Sequence, residues 1–507
     1  MQKHKLTVLM LALLLAVGTW TGCAKDGESS DSTPVSMDSS QAEESSGEPS
    51  KEGQDPVNIV WFRYGINQSG DYAKAIAAVE EEMNAYLADT TGVTVTMKCF
   101  TSADYGTQLN LALASNEEMD VCWTSSAYNM CTPNELYKNK AVMEIGSLLE
   151  TVPDLWNSIP EDIWESTKYD GGYYYVPNYK ETGTGYGVMI NNRLIEKYGW
   201  DVSKVTKLED LEPFLEQVKD EVTIPFNAGA FRNYYYDTFS FITDYAGVRQ
   251  DDLTTVVSIP ESEEFKAHVS LMWDWYQKGY IPDWLAVDQS STSNYLTGES
   301  GDYAVTPWNN VPDNEGIYYS QKGHYGTFVQ FSEVWLDSNS ALGSCYAINA
   351  KSSKAEAAIK FIEALETDRT VGDLAVFGQK DVNYTVDSEG FISKIPDTGY
   401  AFSTWAVASA LNVGLTVGES PEKYEQYKEF NANVEVSPLL GFRFDETKVE
   451  AEVAAVNAVC QEYNSLFQYG AADPETELPK YLDALAGAGI QKVLDEMQTQ
   501  YAEFLAK

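Results

Sequence analysis

The chain has 507 residues, 44% hydrophobic and 22% charged, enough for two or three domains beyond any leader segment. With 34 basic against 77 acidic residues its formal charge is -43. It therefore lacks the basic excess that neutralises phosphates, and nucleic acid is excluded as a partner.

At the N-terminus Lys3, His4 and Lys5 precede an apolar stretch from Leu6 to Val17. That stretch is too short to span a bilayer but suits the hydrophobic region of a secretion signal. The junction Thr21-Gly22-Cys23 resembles a lipobox, with Trp20 where leucine is usual. From Lys25 to Asp55 the chain is rich in Ser, Asp, Glu and Gly with few large apolar residues, so it cannot offset its ordering entropy. The expected layout is a signal peptide over 1–22, then a lipidated Cys23 and a disordered linker over 23–55. Two acyl chains on Cys23 would hold the protein at the extracellular face of the cell membrane. No later segment approaches roughly 20 consecutive apolar residues.

Val57 to Phe62 reads as a strand, and Asp71 to Asp89 as a helix with Tyr72, Ile76, Val79, Met83 and Tyr86 on one face. Val93, Val95, Met97 and Cys99 alternate as a second strand; Asp104 to Ser115 is helical and Met119 to Trp123 is a third strand. This βαβαβ order implies a mostly parallel sheet, whose ligands bind beyond the carboxyl ends of the strands. Those ends carry Arg63 and Tyr64, then Phe100 and Thr101, then Trp123 with Thr124, Ser125 and Ser126. A tryptophan followed by three hydroxyl residues suits a ligand platform better than a core.

Further along, an extended stretch ends at Pro177, a strand spans Gly187 to Ile190, and a helix begins at Asn192. Gly301 to Asn310 and Ala341 to Asn349 are strand-like, and Ser353 with Glu356 forms a capping box for a helix bearing Ile359, Phe361, Ile362 and Leu365. Two amphipathic helices close the chain, one with Val449, Val453, Val456, Val459, Tyr463 and Leu466, the other with Ile490, Val493, Met497, Tyr501 and Phe504. Beyond Cys23, Cys99, Cys122, Cys131, Cys345 and Cys460 form an odd set without CxxC spacing, which makes neither a zinc site nor a disulfide framework. Pairing of Cys122 with Cys131 stays open. His268 and His324 lie in no recognisable motif, which counts against a Ser-His-Asp hydrolase or a His-rich metal site.

The segments "NIVWFRYG", "ASNEEMDVCWTS", "YDGGYYYVPNYKETGTGYGVMINN" and "GESGDYAVTPWNN" together resemble the extracellular solute-binding proteins of ABC importers, in the group similar to maltose-binding protein. The C-terminal stretch from "GFRFDETKVE" resembles the larger Gram-positive lipoproteins that bind aldouronates or other oligosaccharides. The resemblance implies an α/β, two-lobed periplasmic-binding-protein-like fold of type II, with hinge crossings and a helical C-terminal region. It places lobe 1 at 56–180 and 305–345, lobe 2 at 181–304 and 346–400, and a helical region packing on lobe 2 at 401–507. Carried over, the family's cleft aromatics fall on Trp123, Trp308 and Trp405, its hinge carboxylate on Glu181 and a second-lobe tyrosine on Tyr235. Ser125 and Ser126 stand where maltose binders place an acidic residue, which argues against maltose.

Sugar sites need flat aromatics for C–H faces and polar forks for hydroxyls. Tyr64 and Asn309 join the candidates on that ground. Arg63, at a strand end, and Arg232, in "AFRNYYYD", suggest a preference for acidic sugars, since guanidinium forks suit carboxylates. The expected function is a membrane-anchored, monomeric receptor that captures an oligosaccharide by lobe closure and delivers it to an ABC permease. It is not an enzyme and implies no cofactor or metal. The alternatives are a peptide or other small-solute receptor of the same architecture and a surface glycoside hydrolase, which would need paired carboxylates across a cleft.

Overall fold

The computed structural model describes residues 55–66, 70–128, 130–289, 291–298 and 301–506. The expected signal peptide, Cys23 and the linker up to residue 54 lie outside the described residues. The chain first lays down β1 (Val57–Tyr64), α1 (Tyr72–Thr91), β2 (Val93–Phe100), α2 (Tyr105–Ser115), β3 (Val121–Thr124), α3 (Pro133–Lys138) and β4 (Val176–Pro177). It then crosses into β5 (Tyr186–Asn191) and β6 (Ile224–Phe226), followed by β7 (Phe239–Thr243), β8 (Ala246–Arg249) and β9 (Asp252–Ser258). After the helix Glu263–Gln277 come β10 (Tyr303–Asn309), β11 (Gly326–Gln330), β12 (Trp335–Leu336) and β13 (Cys345–Ile348). A hairpin of β14 (Tyr384–Val386) and β15 (Ile392–Lys394) precedes β16 (Glu435–Val436) and three C-terminal helices.

The opening βαβαβ unit forms as its periodicity dictates. The α1 helix starts at Asp71, whose carboxylate accepts from the Lys74 N–H, stops at Gly92 in the left-handed region (φ 70°), and buries Val79, Met83 and Leu87. The first sheet runs β2-β1-β3-β13-β4, with β1 parallel to β2 and β3 and with β13 antiparallel to β3 and β4. The second runs β11-β5-β10-β6. The third, β7-β8-β9, shares a core with the C-terminal helices through Phe239, Val248, Val456 and Val493.

These cores revise the expected lobe boundaries. Lobe 1 does not resume at 305: β10 pairs antiparallel with β5 and parallel with β6, so 303–330 packs in the second core. The return crossing is instead 332–344, and β13 with the helix Ala355–Thr367 packs in the first core, where Ile359, Phe361 and Ile362 are fully buried. The capping box at Ser353 does not form. Lys354 is the N-cap residue, and the nearby Ser352 Oγ instead accepts the Lys354 N–H and donates to Asp120. A helix unseen in the sequence pattern, Pro474–Ala488, lies between the two expected terminal ones.

Three segments connect the lobes side by side. Thr184 and Trp335 exchange backbone hydrogen bonds, and Glu435 donates to Val334 O at 2.8 Å. Asn431 clamps the bundle, accepting from the Thr182 N–H and donating to Lys180 O. A Cβ on Gly183 would sit 2.5 Å from Val334 and 2.7 Å from Val434, so the crossings meet at a position only glycine fits.

Candidate functional site

The carboxyl ends of β1 and β3 lie at the end of the first sheet from which the crossings leave, because Cys345, the first residue of β13, pairs with Thr124 and with Pro177. There the structure brings together Tyr64, Trp123 and Trp405, and adds Tyr105 and Tyr128. The Tyr64 ring stacks on Trp123 at 4.0 Å and 15°. Trp405 meets both edge-on, at 5.9 Å from Tyr64 and 5.8 Å from Trp123. Tyr105 and Tyr128 close the other sides, 5.7 Å from Trp123 in each case. Such pairs contribute about 0.5–1.5 kcal/mol each beyond area burial, so the rings form a rigid block.

Within it the layers differ in access. Trp123 is 1% exposed, so the polar residues after it do not mark a ligand-facing ring. Its Nε1–H donates to Ser344 Oγ at 2.8 Å, and its carbonyl accepts from Tyr105 Oη. Trp405 is 37% exposed, with Tyr64 and Tyr128 half-buried beside it. The solvent-facing rings are therefore Trp405 and Tyr64; Trp123 is their floor.

Ser125 and Ser126 are also redirected. Ser125 Oγ donates to Gly343 O and Ser126 Oγ to Asn339 O, fastening the turn after β3 to the return crossing. Arg63 points away from the ring face, on the same side of β1 as the buried Ile59 and Trp61. Its guanidinium lies 4.1 Å from the Trp61 ring and 3.9 Å from Phe402, and donates to Tyr400 Oη at 2.7 Å and Ala375 O at 2.6 Å. It is a caged core cation. Arg232 faces Asp244 at 3.6 Å and lies over Phe241. Both arginines are engaged, so the expected preference for acidic sugars loses the residues it rested on.

The remaining candidates are dispersed. Glu181 sits in the first crossing, half-buried and paired with Lys180. Trp308 is half-buried with its ring edge on Tyr318 at 4.8 Å, and its buried Nε1–H has no partner among the described residues. Asn309 is exposed, and Asn310 donates to Gly185 O, bringing the end of β10 to the same crossing. Tyr235 stacks on Phe231 at 4.3 Å in the third core, beside His268. Burial alone lowers the His268 pKa to about 3, so it stays neutral there. The five described cysteines are free, and burial pushes Cys122 up to about 12 and Cys131 up to about 11. Among the described residues no cluster of His, Cys, Asp and Glu could hold a metal, and no helix is long and apolar enough to cross a membrane.

A second concavity lies beyond the Ser125–Ser126 turn. It is a cavity of about 180 Å³ walled by Ser126 and Asn134 from the first lobe, Phe241 from β7, Asp337 from the return crossing, and Arg443 from the C-terminal region.

A model of the bacterial extracellular solute-binding protein family matches residues 81–377, more than half of the chain. The chain belongs to that family. Its last part, residues 438–506, matches a domain of unknown function. A carbohydrate ABC transporter substrate-binding protein of Streptococcus pneumoniae serotype 4 is 24% identical over 469 residues, spanning 86% of this chain and 90% of that one. The fold is similar to the N-glycan transport solute-binding protein of S. pneumoniae, with a TM-score of 0.77 at 21% identity over 89% of this chain and 99% of that one. The same protein's complexes with Man1GlcNAc and Man5GlcNAc give TM-scores of 0.75 and 0.73. An extracellular solute-binding protein of Bifidobacterium longum subsp. infantis gives 0.56 at 16% identity, over 88% and 98% of the two chains. A two-lobed solute-binding fold accounts for the separate sheets and the bundled crossings.

Proposed function

We propose that this solute-binding protein captures an oligosaccharide between its lobes, closes about the three crossings, and delivers the sugar to an ABC permease. It acts by binding rather than turnover, tethered to the cell membrane through a lipidated Cys23. The observation that carries the reading is the exposed Trp405 ring beside Tyr64, set on a rigid aromatic floor at the lobe end where the crossings leave. Aromatic faces take the apolar C–H side of a pyranose, and a preorganised face loses little side-chain entropy on binding. The carbohydrate-binding relative and the glycan complexes of the similar fold support a glycan over a peptide. Hinge closure gives the permease a distinct liganded state to recognise.

A thermal-shift comparison of Man1GlcNAc, Man5GlcNAc and mixed peptides tests the class of ligand. A glycan at a hundred times its Kd adds about 2.7 kcal/mol of stability. Stabilisation by peptides alone would overturn the reading.

A further inference from the structure

Where the first crossing leaves β4 and the return crossing reaches β13, the two segments enclose a small cavity of about 10 Å³. Asn178 and Ser344 line it, and both are buried, at 3% and 2% exposure. Their backbones are joined, since the Asn178 N–H donates to Ser344 O at 3.0 Å. Ser344 Oγ accepts twice, from the Trp123 Nε1–H at 2.8 Å and from Asn178 Nδ2 at 3.0 Å. Both lone pairs of that hydroxyl are thereby used, and its own O–H has no acceptor among the described residues. Asn178 Oδ1 is buried and has no donor among the described residues. Turning the amide over would satisfy the hydroxyl and strand the amide nitrogen instead, so either orientation leaves one amide atom without a partner.

The other polar side chains on the wall are occupied. Ser340 Oγ accepts the Asp337 N–H and donates to Asp337 O, Thr182 Oγ1 donates to Asn431, and Lys180 pairs with Glu181. The wall's charges thus cancel, and an ion finds no free counter-charge there. What remains is one acceptor and one O–H at the root of both crossings. The volume is about the least that holds a water, and a buried water needs about two to four polar partners. A water in this place accepts the Ser344 O–H and donates to Asn178 Oδ1, which completes both groups.

We propose that the cavity binds one structural water, and that this water, Asn178 and Ser344 form the junction that holds Trp123 in register with both crossings. Ser344 touches Trp123, Asn178 touches Ser344, and Trp123 is the floor on which Tyr64 lies. Asn178 and Ser344 are therefore positioning residues for the ring face. The positioning half of the proposal rests on the glycan reading above; the water site does not.

Oxygen-17 magnetic relaxation dispersion of the full chain without glycan counts its long-lived internal waters, and a high-resolution crystal structure of the wild type locates them. The wild type is expected to show an ordered water within hydrogen-bonding distance of Asn178 and Ser344. Asn178→Leu and Ala341→Val are each expected to hold one water fewer; Ala341→Val fills the cavity without removing a side-chain hydrogen bond, which guards against misfolding of the other variant. Equal counts in all three proteins, or no water at that place in the wild type, overturn the site. In calorimetric titration with Man5GlcNAc, Ser344→Ala is expected to bind about fivefold more weakly than wild type, and Ser344→Thr, which keeps the hydroxyl, within about twofold. Undiminished affinity in Ser344→Ala, or an equal loss in both variants, overturns the positioning role. A wild type that binds no glycan overturns the glycan reading and the positioning role with it, while the water count still decides the site.

Discussion

Tyr64 lies flat on Trp123 at 4.0 Å, and the upper ring is half-buried while the lower is sealed from solvent. Two aromatic residues at neighbouring strand ends thus divide the work: one faces solvent and the other fixes its height. Trp123→Ala is therefore expected to act on the fold. Removing a fully buried tryptophan costs about 3–5 kcal/mol, whereas Trp405→Ala, at a ring 37% exposed with two edge-on ring contacts, is expected to cost less, about 1–3 kcal/mol. Urea unfolding of the two variants separates them, and equal midpoints would contradict the layering.

Arg63 is held by ring faces and two oxygens, with no acid partner among the described residues. Its buried Nε–H has no partner among the described residues. An apolar residue of similar length should replace it at small cost, while truncation leaves a cavity between Trp61 and Phe402. Arg63→Met is expected to lose about 1 kcal/mol and Arg63→Ala about 3 kcal/mol or more, by denaturant titration. Neither should alter discrimination between acidic and neutral glycans; a change there would return Arg63 to the ligand.

Glu366 gives the fold a pH dependence with a definite sign. Burial pushes its carboxyl from 4.5 up to about 8, opposed only by the Tyr179 N–H that donates to it at 3.1 Å. The folded state therefore holds a proton that the unfolded state releases, and this group's contribution falls as pH rises from about 4.5 to about 8. Glu366→Gln is expected to flatten that part of the stability–pH curve and to raise stability at pH 8 by a few kcal/mol. A variant as pH-sensitive as wild type would show that the carboxyl ionises freely in place.

The proposed anchor is tested by Cys23→Ser expressed in the native host. The variant is expected in the medium rather than the membrane fraction, with unchanged thermal unfolding. Equal membrane retention would remove the lipidation reading.

The first βαβαβ unit was legible because its signals are local: Val79 and Met83 recur at helical spacing, and Val93 and Val95 at strand spacing, within one element each. The return path was not, since β10 is a strand in either lobe and only its pairing with β5 and β6 assigns it. The helix Pro474–Ala488 carries Pro479 in its interior, and that residue hides it from a pattern reading. At the candidate site, Tyr64 was readable at a strand end, while Trp405 came only from the family resemblance. Arg63 misled because β1 is buried on both faces, so its hydrophobic run shows no alternation. Counting by two from Ile59 and Trp61 nonetheless puts Arg63 on the inner face. Ser125 and Ser126 find partners more than two hundred residues away, which no local pattern encodes. The contacts of Arg443 are hidden for the same reason: Ser166, Lys168 and Tyr169 lie far from it in sequence.

Trp405 and Tyr64 are proposed to present a sugar-binding face between closing lobes. Calorimetric titration of Man5GlcNAc into the wild type and Trp405→Ala tests it most directly. One saturable site per chain is expected in the wild type, with affinity at least about tenfold weaker in the variant, the loss of about 1.4 kcal/mol or more that an aromatic anchor supplies. Equal affinity in the two proteins, or no saturable binding in the wild type, would contradict it.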